Sequence, residues 1–182
     1  MSAKEDIQEK FKNMIKSSIS HISISQICQE ANVSRKTFYK YYDDIYDLIQ
    51  QIIQHDLFEP LTQLSTMDHL KANDSITVLN SMYSTIYKQK DFYSHLYYRY
   101  KEEDVLKQCI FKENVKLNTV IFQNIHEDET EKNYHIHIAA MAGANLIEKW
   151  IVEDYSISSR QLAEIFYKYI ARAWVELLER YR

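Results

Sequence analysis

Apolar residues recur along this chain with helical spacing almost from its start. Ile7, Phe11, Met14 and Ile15 fall at i, i+4, i+7 and i+8, one stripe on a helix over about residues 4–18. Ser23-Ile-Ser-Gln26 has the form of a capping box, and it opens a short helix to about Ala31. Asn32-Val33 interrupts the pattern, and Ser34 is a natural N-cap for a second short helix to about Tyr41. Asp43 and Asp44 cap a longer helix carrying Ile45, Leu48, Ile49, Ile52 and Ile53 on one side, with Pro60 marking its end or a kink. Further along, Asn73-Asp74 starts a segment with Ile76, Leu79, Met82, Tyr83, Ile86 and Tyr87. Asp91 is placed to cap an aromatic stretch over 92–100, and a helix follows over about 103–124. Residues 126–133 read as a solvated acidic loop before an apolar helix over about 134–152. Ser158 and Gln161 form a second capping box, opening a last helix that runs to about residue 180. About nine helices and no strand predict an all-α fold.

Composition sharpens this picture mainly by exclusion. The chain of 182 residues has one glycine, Gly143, and one proline. Phosphate-cradling and dinucleotide-binding loops need several glycines, so those enzyme classes are excluded. Turns must be few and the elements between them long. The net charge is −4, yet residues 1–55 balance seven Lys/Arg against seven Asp/Glu, and 34–42 hold Arg35, Lys36 and Lys40 without an acid. A local basic spot on a neutral module suits contact with phosphate through one small surface. Cys28 and Cys109 lie far apart without a C-x-x-C, which reads as two reduced, buried thiols. No secretory leader or run of 18 apolar residues is seen, so a soluble, cytoplasmic protein with no membrane partner is expected.

The two short helices, braced by a helix on each side, form a helix-turn-helix. Ile27, Ala31, Phe38 and Tyr42 face inward, Val33 plugs the turn, and Asn32 takes a left-handed corner that usually calls for glycine. That leaves Arg35, Lys36, Thr37, Tyr39, Lys40 and Tyr41 facing outward beside the capping Ser34, a set of cations and hydroxyls fit for phosphates and base edges. Residues 22–49, ISISQICQEANVSRKTFYKYYDDIYDLI, resemble the TetR/AcrR DNA-binding signature in the I-x-x-x-A-x-V-S core, the T-F-Y of the recognition helix, Tyr42 and Leu48. The resemblance covers about a quarter of the chain. It implies a homodimeric transcriptional regulator, with a repressor as the usual sense. It further implies a DNA-binding domain over 1–50 and a helical ligand-binding and dimerisation domain over 51–182. Under it, Lys36 and Thr37 reach bases or adjacent phosphates, Tyr39 bonds a phosphate, Lys40 and Tyr41 lie on the DNA side, and the helix start near Asp44 abuts the backbone. Ile45 departs from the pattern, which usually has a lysine there for a phosphate contact.

The rest of the chain leaves more open. The last helix is apolar over more than half its circumference, which calls for a second partner and predicts a homodimer. Phe166, Ile170, Trp174 and, on the preceding helix, Leu146, Trp150 and Gly143 among its alanines are the interface candidates. The tryptophans suit either an interface or the core. Tyr83, Tyr87, Phe92, Tyr93, Tyr97 and Tyr98 are candidates to line an effector pocket, with plain core and an interaction surface as the other readings. His135 and His137 point to opposite sides of a helix and His126 sits in an acidic loop, so no metal or other cofactor is expected. No nucleophile elbow or H-E-x-x-H occurs, and no enzymatic activity is expected. Double-stranded operator DNA, a second copy and a small effector are the expected partners. A ligand-independent regulator that recruits a protein, and a helical adaptor without DNA binding, are the alternatives.

Overall fold

The computed structural model describes residues 2–17, 21–65, 72–123, 128–173 and 175–176, and within them the chain is all-helical. α1 (Ala3–Lys16) starts on a capping box of Ser2 and Glu5 and buries Ile7, Phe11, Met14 and Ile15, the stripe its spacing predicts. α2 (Ile24–Glu30) and α3 (Arg35–Tyr41) begin at the expected caps, Ser23 and Ser34. α4 (Ile45–Ile53) is capped by Asp44 and does not end near Pro60. It continues through a π turn (Gln54–Phe58) into α5 (Glu59–Ser65) as one rod. The Glu59 N–H reaches back five residues to the Gln54 carbonyl, so Pro60, with no N–H to give, falls where the ladder is already shifted.

The body is built from α6 (Ala72–Lys88), α7 (Lys90–Arg99), α8 (Val105–Ile121), α9 (Glu129–Val152) and α10 (Ser159–Phe166), the last running into a second π turn (Tyr167–Ala171). Counted as continuous rods, these are nine helices among the described residues. Two sequence expectations are corrected. Asp91 does not cap α7: Gln89 stands at its start without a side-chain capping bond, and Asp91 lies within the first turn, where its charge favours the helix dipole. Residues 129–133 are helical rather than loop, because Asp128 caps α9 by accepting from the Thr130 and Glu131 N–H groups at 2.9 and 3.1 Å.

α8 lies along α9, and α6 packs on α10. α1 braces α2 and α3 and also packs on α7, which joins the N-terminal head to the body. At this junction the Lys12 ammonium donates to Asp56 in the first π turn and to Gln89 at the end of α6. One apolar core runs through both parts, from Ile7 and Phe11 to Ile147, Trp150 and Leu162. With a single glycine, the chain turns its left-handed corners on Asn32, Asp104, Asp154 and Tyr155. Tyr155 is bulky for such a corner, and its burial against Trp150 holds it there.

Candidate nucleic-acid interface and internal cavity

The head presents α3 outward by anchoring everything behind it. Ile27 and Phe38 are fully buried, and Ala31 and Tyr42 are buried. Asn32 takes φ 52° at the corner, and the Val33 N–H reaches the Cys28 carbonyl at 2.9 Å to close the turn. Ser34 Oγ accepts from the Thr37 N–H at 3.0 Å. The end of α3 is held too: the Tyr42 hydroxyl donates to the Lys4 carbonyl, and Gln51 Nε2 donates to the Tyr41 carbonyl at 3.0 Å. Burial pushes the Tyr42 phenol up to about 12, so it stays a neutral donor.

Arg35, Lys36, Tyr39 and Lys40 stand exposed on the outer face of α3. None of the three cations pairs with a carboxylate among the described residues. Arg35 instead donates to Tyr39 Oη at 3.4 Å and lies over its ring, while Lys40 lies over the Tyr41 ring at 5.3 Å. The other expected contacts are more committed locally. The Thr37 and Ser34 hydroxyls bond each other at 2.9 Å, Tyr41 is half-buried against the core, and the Asp44 carboxylate caps α4 through the Asp47 N–H at 2.8 Å. Ile45, where the resemblance leads one to expect a lysine, packs against the core.

The second feature is a partly open cavity of about 130 Å³ lined by α6, α8, α9 and the α10 region. Of the six aromatic pocket candidates only Tyr83 lines it. Phe92 and Tyr93 are core residues, Tyr97 bonds Glu148 at 3.1 Å, Tyr87 stacks on Trp150, and Tyr98 faces outward. α7 lies on the α1 side of the body, so its aromatic run fills the head–body junction. The lining that sequence reasoning missed includes Asn114 and Asn118 on α8. Their signal was present: two amides one turn apart, on a helix whose apolar neighbours Ile110, Leu117 and Ile121 otherwise face inward.

The interface candidates also move. Trp150, 1% exposed, sits among Tyr83, Tyr87 and Tyr155 and donates from Nε1 to the Ile157 carbonyl at 2.8 Å. It closes the core. Gly143, Phe166 and Ile170 line the cavity, and Leu146 packs on the core. A Cβ on Gly143 would meet Asn114 Nδ2 at 3.3 Å and the Phe166 ring at 3.5 Å, so the close approach that glycine permits is within the chain. Trp174, like His126, lies outside the described residues. The exposed apolar side chains of these helices are instead Tyr134, Ile138, Met141 and Val152 on α9, with Ile165 and Tyr169 beyond. α9 is apolar on both sides, so periodicity alone does not tell its core face from its outer one. No cluster of three metal-ligating side chains occurs among the described residues, and no helix there is long and apolar enough to cross a membrane.

No protein-family model matches the chain. It is 24% identical over 177 residues to an uncharacterised HTH-type transcriptional regulator, YxbF, of Bacillus subtilis strain 168, covering 94% of this chain and 45% of that protein. The chain therefore spans about half the length of the curated relative it matches. Its fold is similar to that of the dihydroxyacetone kinase operon activator DhaS, with a TM-score of 0.62 at 18% identity over 96% of this chain and 97% of that one. It is also similar to NalD, the secondary repressor of the MexAB-OprM multidrug efflux pump in Pseudomonas aeruginosa, with a TM-score of 0.52 at 16% identity over 93% and 96%. The two structures extend the likeness from the helix-turn-helix to the whole helical fold. All three proteins are transcriptional regulators rather than enzymes.

Proposed function

We propose that this protein is a DNA-binding transcriptional regulator of the TetR/AcrR type, working as a homodimer with residues 1–50 on DNA and 51–182 for dimerisation and effector control. The observation that carries the reading is the outer face of α3: Arg35, Lys36, Tyr39 and Lys40 exposed, free of carboxylate partners, on a helix fastened at both ends. Such a helix fits a major groove, with the cations on phosphates and the tyrosine hydroxyl as a further phosphate donor. Asp44 contributes by capping α4, since a carboxylate facing phosphate would repel it. The HTH-type relative and the two regulators of like fold support the reading. Since one of those is an activator and the other a repressor, the sense of regulation is left to experiment.

The exposed apolar row on α9 supports the dimer, because Tyr134, Ile138 and Met141 follow helical spacing, and Tyr169 beyond α10 stands 69% exposed as well. Two α3 helices then meet half-sites about 34–36 Å apart on a pseudo-palindromic operator. The rod from α4 to α5 links the sites: its start abuts α3, and Leu61 near its far end lines the cavity. A ligand that favours one rod position shifts the spacing of the α3 pair. The action on DNA places the protein in the cytoplasm.

The test is binding of the full chain to DNA from upstream of its own gene, measured over a range of salt. Replacing Lys36 and Lys40 with alanine should weaken binding at least about tenfold and lower the salt slope by about 2, while melting temperature and dimer mass hold. Binding that is indifferent to salt and to both substitutions removes α3 from the DNA and favours the adaptor reading.

A further inference from the structure

The exposed cations of α3 stop at Lys40, and the edge of the face beyond them is unfavourable to phosphate. Asp43 and Asp44 stand exposed there, and Ile45 packs on the core instead of reaching outward. A phosphate backbone running past this end of α3 would meet two carboxylates, unless a cation is held beside them. The cation comes from α1. Tyr42, 1% exposed, closes α3, and its hydroxyl donates to the Lys4 carbonyl at 3.3 Å. That bond fastens the first turn of α1 against the end of α3. The turn is fixed from its own start as well. Ser2 Oγ accepts from the Glu5 N–H at 3.3 Å, and the Glu5 carboxylate accepts from the Ser2 N–H at 2.8 Å. Glu5 is thus occupied within α1, while Lys4 pairs with no carboxylate among the described residues.

The place of Lys4 on its helix matters too. Lys4, Ile7, Phe11 and Met14 fall at i, i+3, i+7 and i+10, so the lysine lies on the stripe that α1 buries. The three apolar members are buried, yet Lys4 is exposed, so the stripe runs past the edge of the core at Lys4. Helix side chains lean toward the N-terminus, which carries the Lys4 stem beyond the start of α1. We propose that Lys4 is a phosphate-binding residue of the DNA interface, extending the basic face of α3 past Asp43 and Asp44 to the first turn of α1. It meets the sugar–phosphate backbone and not base edges, because it stands at the end of α3 rather than on its outer face. The inference rests on the reading of α3 as the DNA-binding helix and adds a residue which that reading does not contain.

The test uses the full chain and two duplexes, one from upstream of its own gene and one of the same composition in scrambled order, each titrated over a range of salt. Lys4→Ala should weaken binding about three- to tenfold on both duplexes and lower the salt slope by about 1. Lys4→Arg should keep most of the affinity. Lys16→Ala removes the same charge from an exposed site about 18 Å further along α1 and should leave both quantities nearly unchanged. All three variants should melt with the unaltered chain, since each side chain replaced is exposed. Equal behaviour of Lys4→Ala and Lys16→Ala overturns the proposal. So does a Lys4→Arg variant as weak as Lys4→Ala, or a loss confined to the upstream duplex, which would mean base recognition. If replacing Lys36 and Lys40 weakens binding and replacing Lys4 does not, Lys4 leaves the interface and the α3 reading stands. If none of these lysines matters, or no DNA binds, the α3 reading fails and this proposal with it.

Discussion

In the head, α2, α3 and α4 each begin on a side-chain cap, from Ser23, Ser34 and Asp44; in the body α9 and α10 do so, from Asp128 and Ser158, while α7 and α8 begin with none. The contrast continues inward. Buried polar atoms of the head are paired, as Tyr42 and Gln51 show, while Tyr83, Tyr93 and Asn114 of the body are not. The body also holds the cavity, and a π turn interrupts α10 beside it. A head determined by short-range bonds keeps one shape, which a surface that reads a groove requires. A body with a void has stability left to gain from a ligand that fills it.

The widest gap between the two parts should open at high pH. Burial raises the phenols of Tyr42 and Tyr155 to about 12 and holds those of Tyr83 and Tyr93 well above their ordinary value. Their folded pKa values exceed the unfolded one, so the stability they contribute is complete below about pH 10 and lost as pH rises toward the folded values. Together they should make the fold lose stability steeply above about pH 10, as each buried phenol is forced to ionise. Three of the four lie in the body, so tryptophan fluorescence from buried Trp150 should change no later than the signal of a label placed on the head. A label that responds first would reverse the ranking.

Next in size is a pair of truncations. Phe38→Ala, at a fully buried and filled position, should cost about 3–5 kcal/mol in denaturant melts. Met82→Ala faces a void already and should cost about 2 kcal/mol. Equal losses would mean the cavity is closed in solution. The joint between the parts comes third. Lys12→Met leaves Asp56, 9% exposed, with Gln89 as its remaining buried donor, and should cost about 2 kcal/mol. No loss would show that the head docks through its apolar contacts alone. The smallest effect concerns the corner of the head: Asn32→Ala at φ 52° should cost about 1 kcal/mol, while Asn32→Gly should cost nothing or stabilise. Equal melting temperatures for the two would remove backbone strain from that corner.

Legibility follows the same division. The head was readable because its signals are local: a cap or corner residue acts on N–H groups three or four positions away, so Ser23, Asn32, Ser34 and Asp44 can be assigned without knowing the fold. The body misled wherever an element is apolar on more than one side. Trp150 suits an interface or a core equally well in sequence, and the aromatic run over 92–100 suits a pocket as well as a junction. Pro60 reads as an end or a kink because sequence carries no sign of the π turn that accommodates it.

The amino-acid sequence by itself determined the helical class, the helix starts in the head and the outward face of α3, since each depends on spacing within a turn or two. Only the tertiary structure decided which side of α9 meets the core, that Gly143 makes room for the Asn114 amide, and that Tyr83 on α6 and Asn114 on α8 border one cavity. Those facts depend on which helix lies against which, and a one-dimensional period carries no information about its neighbours.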